Sequence, residues 1–310
     1  MDSTIETETF ENRNGELLFV ITHVPNHVAQ KDAVILLLSP GVKMRVAPHR
    51  LYNKMADEFV NEGYIVARFD FSGLGDSEGE IEEDLLADFY NTVQFGRYVK
   101  DTVDAMDWAE RKYGKNKFIL AGLCGGAITG LLTGQADERV EALLSLNIPV
   151  ILDGSNQDKT KYLTEGQLDR LKKNYLKRLF NVNSWLRFLT FKSDYKLLLK
   201  SLIRKNKKSD NDKQQDNSAD SNLNPLFEPA FMYWIEKSKN MLLIFSGSDR
   251  LTWEYNEKFA IPNQDKLAAI NGRFEVRVVD EANHIFSYKS WYEEMMKLSL
   301  QWLKNDYKLG

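Results

Sequence analysis

Three side chains stand where an apolar run ends in a short turn: Cys124, Asp249 and His284. In that chain order they could supply a nucleophile, a general base and a carboxylate that orients the base. Cys124 lies in Gly122-Leu123-Cys124-Gly125-Gly126, directly after KFILA and directly before AITGLLTGQA. A nucleophile between glycines at a strand-to-helix turn is a nucleophile elbow. The turn is too tight for bulky neighbours, and it holds the reactive residue in a strained conformation. The positive end of the following helix favours a thiolate there. Gly125 N–H is placed to donate to an oxyanion. Val42, in Ser39-Pro40-Gly41-Val42, is the candidate for the second donor. Asp249 follows MLLIFSGS, and His284 follows FEVRVVDEAN. Each residue also has a plainer reading: Cys124 as inert core, Asp249 as a helix cap, His284 as a surface residue. Their chain order at three strand ends favours chemistry.

Other polar motifs are less decisive. The loop Lys43-Met44-Arg45-Val46-Ala47-Pro48-His49-Arg50 places three bases and a histidine beside the expected oxyanion site. Arg45 and His49 are therefore candidate substrate-binding residues for an anionic group. Equally open is the reading in which Pro48-His49 start a helix and Arg45 pairs with an acid. The turn FDFSGLGDSEG lacks the Lys-Ser/Thr ending of a phosphate loop and is expected to be structural. His23 and His27 show no metal-ligand spacing, so no metal site is expected.

The elements that must position these residues read as a βαβα chain. TETFEN and ELLFVITHV flank Arg13-Asn14-Gly15, a strong hairpin signal. Ala33–Leu38, Tyr64–Phe69, Lys117–Ala121 and Ala142–Leu146, and then MLLIFSG and FEVRVV, are near-continuous apolar runs that suit strands buried on both faces. Helices are expected over His49–Glu62, over a segment with the stripe Val99, Val103, Met106 and Ala109, and around Trp291–Leu303. The expected fold is α/β: an open, mostly parallel sheet with helices on both faces. Residues 1–150 and 240–310 form the core, and 151–239 form an inserted helical cap. The stripe Leu168, Leu171, Tyr175 and Leu179 and the segment Trp185–Ile203 are its helices, and 204–222 is a mobile polar loop. Leu171 and Tyr175 are expected to line an acyl-binding wall.

Charge separates the two parts. Residues 151–210 hold 15 Lys and Arg against 6 Asp and Glu, whereas the rest of the chain holds 26 against 39. A solvated helical surface and a docking face for an anionic partner or membrane surface both fit this surplus. The net charge of −4 excludes a global nucleic-acid footprint. A single cysteine excludes an intrachain disulfide and suits a reducing compartment. MDSTIETETF lacks the basic start and apolar run of a secretory signal. A cytoplasmic location is expected, with peripheral attachment at the inner membrane surface as a variant.

Together, the motifs resemble the α/β-hydrolase superfamily over roughly residues 1–150 and 240–305. SPGVKMRVAPHRLY, ARFDFSGLGDSEGE and LAGLCGGAITGLL look most like the exosortase A system-associated hydrolases, subtype 1. The Gly-x-Cys-x-Gly box is also similar to that of polyhydroxyalkanoate synthases, which are acyltransferases. The expected activity is hydrolysis of carboxylic esters or thioesters through an acyl-Cys124 intermediate, with His284 as base and Asp249 as its orienting group. The substrate would be a small-molecule or carrier-bound acyl compound, and no cofactor is expected. Acyl transfer from the same acyl-cysteine and a non-catalytic binding protein of the same fold are the alternatives.

Overall fold

Asn12 shapes the first turn, its Oδ1 accepting from Asn14 N–H and Glu16 N–H while Gly15 takes a φ of 82°. The turn joins β1 (Ser3–Glu11) to β2 (Leu17–Pro25), which pair antiparallel throughout. The computed structural model describes residues 3–152, 222–268, 270, 274–305 and 307. The remaining strands are β3 (Ala33–Leu38), β4 (Ile65–Phe69), β5 (Lys117–Leu123), β6 (Val140–Leu146), β7 (Asn240–Ser246) and β8 (Phe274–Val279). They form one eight-stranded sheet in the order β1-β2-β4-β3-β5-β6-β7-β8. β2 meets β4 antiparallel; every later pairing is parallel.

The apolar runs are continuous because side chains alternate between two covered faces. Ile35, Leu37, Val66, Ile119, Leu144 and Ile244 face α1 (Leu51–Asn61) and the C-terminal helix Lys289–Lys304. Val34, Leu36, Leu120, Leu143 and Leu243 face the other way. There they meet α2 (Leu86–Gln94), α3 (Val99–Tyr113), α4 (Gly125–Ala136) and α5 (Phe227–Glu236). α4 is apolar on all sides because neighbours surround it, so it carries no amphipathic stripe. On α3 the buried face is Thr102, Ala105, Met106 and Ala109, with Trp108 and Asp101 beside it; Val99 and Val103 lie at its margin. The Asp101 carboxylate accepts from Asn12 Nδ2 and Ser72 N–H, tying the hairpin turn to the loop after β4.

The core extends further back than expected. α5 falls in the segment assigned to the insert, yet its Trp234 is fully buried and donates from Nε1 to the Leu131 carbonyl at 2.8 Å. A Cβ on Gly134 of α4 would lie 1.9 Å from the Trp234 ring, so only glycine admits this packing. The chain leaves the core and re-enters it at one place. Leu152 N–H donates to Asn222 O at 2.8 Å, Asn224 N–H donates to Val150 O at 2.8 Å, and Ile151 bridges Leu223. The expected helices at 168–179 and 185–203 and nearly all of the polar loop lie outside the described residues. Among the described residues no helix is long and apolar enough to cross a membrane, and no cluster of His, Cys, Asp and Glu could hold a metal.

Candidate active site

β5 passes into α4 through one residue. Cys124, partly exposed, takes φ 53° and ψ −112°, a conformation that costs on the order of 1–3 kcal/mol for a side chain other than glycine. Its surroundings impose this strain. A Cβ on Gly122 would come within 2.4 Å of the Gly126 carbonyl carbon, and one on Gly126 within 2.2 Å of Leu38 O. One on Gly125 would come within 2.8 Å of Gly41 N and Cα. The glycines therefore let the backbones of the elbow and of the loop after β3 touch. Gly126→Ala should cost more than about 3 kcal/mol, because its new methyl meets backbone that cannot turn aside. Gly114→Ala is the control. Its Cβ meets nothing within 4 Å, so it should lose only the left-handed penalty of about 1–2 kcal/mol in chemical denaturation.

His284 and Asp249 come from the ends of β8 and β7. His284 Nδ1 lies 2.5 Å from Asp249 Oδ2. The other oxygen, Oδ1, accepts from Leu251 N–H and caps α6 (Arg250–Tyr255). The cap and the orienting role, alternatives in the sequence, are thus held by one carboxylate whose rotation the cap restrains. Cys124 is the imidazole's other polar neighbour and acts on its titration. Burial alone would lower the His284 pKa; the hydrogen bonds and charges of Asp249 and Cys124 outweigh it and push the pKa up to about 10. At neutral pH the ring is therefore held as an imidazolium, a group that can release a proton to a partner.

The histidine loop is held from beneath by a residue not singled out in the sequence. Asn147, fully buried at the end of β6 with φ 49°, donates from Nδ2 to His284 O at 2.9 Å and to Ser246 Oγ at 2.8 Å. Its Oδ1 accepts from Ser246 N–H, and Ser246 Oγ donates to Asn283 O. A lone polar residue closing the apolar run ALLSL was the available signal. On the opposite side the Tyr90 ring of α2 packs beside Gly41, and Val93 beside Gly125. Val42, partly buried, follows Gly41, whose backbone lies against Gly125.

A family model described as X-Pro dipeptidyl-peptidase (S15 family) matches residues 15–224, more than half of the chain. The chain belongs to this family. Solved structures similar to this S15 chain include the esterase Pf2001 of Pyrococcus furiosus. It is 17% identical with a TM-score of 0.59 over 99% of this chain and 94% of that one. The α/β hydrolase GrgF of Penicillium sp. sh18 is 15% identical, with a TM-score of 0.59 over 98% and 99%. XC6422 of Xanthomonas campestris, described as an α/β serine hydrolase without lid, is 15% identical, with a TM-score of 0.53 over 100% and 97%. These likenesses and the strand order establish the α/β-hydrolase fold. No curated protein matches the chain.

One expected substrate contact of this S15 chain is corrected. Arg45 is 7% exposed and its guanidinium is shared between Asp70 and Asp76, 2.6 Å away in the second case, over the face of Phe19. Its backbone N–H also donates to Asp70. Arg45 therefore braces the loop after β3 against the loop after β4, and its charge is satisfied inside the protein. The turn FDFSGLGDSEG is structural, as expected: a Cβ on Gly75 would strike the Asp70 carboxylate. His49 is exposed with φ 54° in the short turn before α1, and no described contact joins it to Cys124 or His284. Leu171 and Tyr175 lie outside the described residues.

Proposed function

We propose that this S15 family hydrolase cleaves carboxylic esters or thioesters through an acyl-Cys124 intermediate. The observation that carries this reading is the imidazole of His284, bonded to Asp249 through Nδ1 and raised in pKa by Asp249 and by Cys124, which sits on a strained turn. The thiolate of Cys124 attacks the acyl carbon, and the carbonyl pair moves onto oxygen, facing the N–H groups of Val42 and Gly125. The tetrahedral adduct collapses, and His284 gives its proton to the departing alkoxide or thiolate. A water molecule then loses a proton to His284 and attacks the acyl-cysteine. Collapse of that adduct releases the carboxylic acid and restores the thiolate–imidazolium pair. Asp249 keeps the ring in the tautomer that both halves need. Acyl transfer shares the first half and differs only in the acceptor of the acyl group. The subtype resemblance, a cytoplasmic location, a substrate wall at Leu171 and Tyr175 and an anionic partner for the basic insert belong to the same proposal.

The test is intact-protein mass spectrometry after incubation with p-nitrophenyl acetate, a longer p-nitrophenyl ester, an acyl thioester and Ala-Pro p-nitroanilide. The expected result is an acyl mass on Cys124, discharged by water as free acid. Discharge only after an amine or alcohol is added assigns the chain to acyl transfer. Turnover of the anilide alone would assign a peptidase role.

A further inference from the structure

Tyr52 is fully buried near the start of α1, in the sequence PHRLY that follows the loop after β3. Its hydroxyl donates to Leu38 O at 2.7 Å and accepts from Leu123 N–H at 2.7 Å. Leu38 is the last residue of β3, four positions before Val42; Leu123 is the last residue of β5, immediately before Cys124. At this point the two strands part, β3 into the loop that carries Val42 and β5 into the elbow that carries Gly125. A single hydroxyl spans the gap. The other side of Leu38 O is closed by Gly126 Cα, where a Cβ would stand 2.2 Å away. The carbonyl is thereby fixed from both sides. Burial keeps the phenol protonated, so the group serves as a neutral spacer with both hydrogen-bonding capacities used.

We propose that Tyr52 is a positioning residue for oxyanion stabilisation, its hydroxyl setting the separation between the segments that carry Val42 N–H and Gly125 N–H. This rests on the acyl-Cys124 reading above. Oxyanion donors act only when held at the site where charge develops, and small displacements are costly in rate. Tyr52 acts through backbone, and it needs no contact with substrate.

Tyr52→Phe keeps the ring and removes the spacer atom. With p-nitrophenyl acetate, kcat should fall about 10- to 100-fold while KM stays within about twofold. The companion readout is alkylation of Cys124 by iodoacetamide, which needs the thiolate but forms no oxyanion; its rate should stay within about twofold of wild type. Ser299→Ala removes a buried hydroxyl from the C-terminal helix, where it donates to Met295 O, and shows what a general loss of stability does to kcat. An unchanged kcat overturns the proposal. So does a parallel fall of kcat and alkylation rate, or a fall in kcat that Ser299→Ala reproduces at equal loss of melting temperature. If wild-type protein forms no adduct at Cys124, the acyl-enzyme reading itself fails, a result visible before any variant is made.

Discussion

Cys124→Ala should leave a folded protein whose ester turnover is lower by a factor on the order of 10⁶, the scale seen when a covalent nucleophile is deleted from a preformed site. Alanine meets no obstacle that cysteine does not, because the φ of 53° already accommodates a Cβ and the glycines around it are unchanged. The melting temperature should therefore move little, while the acyl adduct disappears from the mass spectrum. His284 would lose one of the two partners that raise its pKa and should titrate lower. Cys124→Ser is the informative intermediate. It keeps a hydroxyl nucleophile in the same turn, but an alcohol is far less acidic than a thiol and a ring held as imidazolium is a poor base for it. Activity between that of the alanine variant and wild type is expected. Wild-type turnover in Cys124→Ala, measured in steady-state assays with p-nitrophenyl acetate, would remove Cys124 from the chemistry.

Asp249→Asn is the second large effect, with a loss in kcat of about 10⁴-fold. Asparagine still presents an oxygen to Leu251 N–H, so the start of α6 keeps its cap and the loop keeps its course. What changes is the group facing His284 Nδ1. An amide NH₂ there favours the tautomer with Nδ1 as acceptor and leaves the ring unable to take a proton on the Cys124 side. The pH profile should change with the rate. In the wild type, His284 is raised from 6.5 to about 10, against the lowering effect of burial, by Asp249 and Cys124. A base whose folded pKa is raised stabilises the fold fully below its unfolded pKa, near 6.5, and loses that contribution as pH rises through about 10. The alkaline limb of activity should fall in the same window, as the imidazolium that protonates the leaving group is lost. In Asp249→Asn that limb moves to lower pH. A variant retaining both the rate and the position of the limb would show that the 2.5 Å contact is ornamental.

The strand runs and the tight glycine turn around Cys124 were legible in the sequence for one physical reason: each is a local signal. Ala33–Leu38 is apolar at every position because it is covered on both faces, and the elbow glycines are packed into five residues. What was not legible depended on partners far along the chain. Arg45 beside the oxyanion loop has the composition of a substrate clamp. Asp70 and Asp76, which neutralise it, arrive only because β3 and β4 pair in parallel. α5 follows a long polar stretch and so read as part of the insert. The glycine that makes room for its Trp234 lies a hundred residues earlier, in α4. Asn147 and Tyr52 escaped for the same reason. Each acts through main-chain atoms of elements that are neighbours only after the sheet has formed.

The pairing of Val150–Leu152 with Asn222–Asn224 has an evolutionary corollary. Whatever the intervening residues are, their two ends are anchored a single hydrogen bond apart, between the sixth and seventh strands. Loop closure depends only weakly on the length enclosed, and the core bonds on either side do not depend on its contents. The segment can therefore be lengthened, shortened or replaced wholesale as a cassette. Chains that share this core can thus differ in the length and composition of this one segment while the scaffold stays constant.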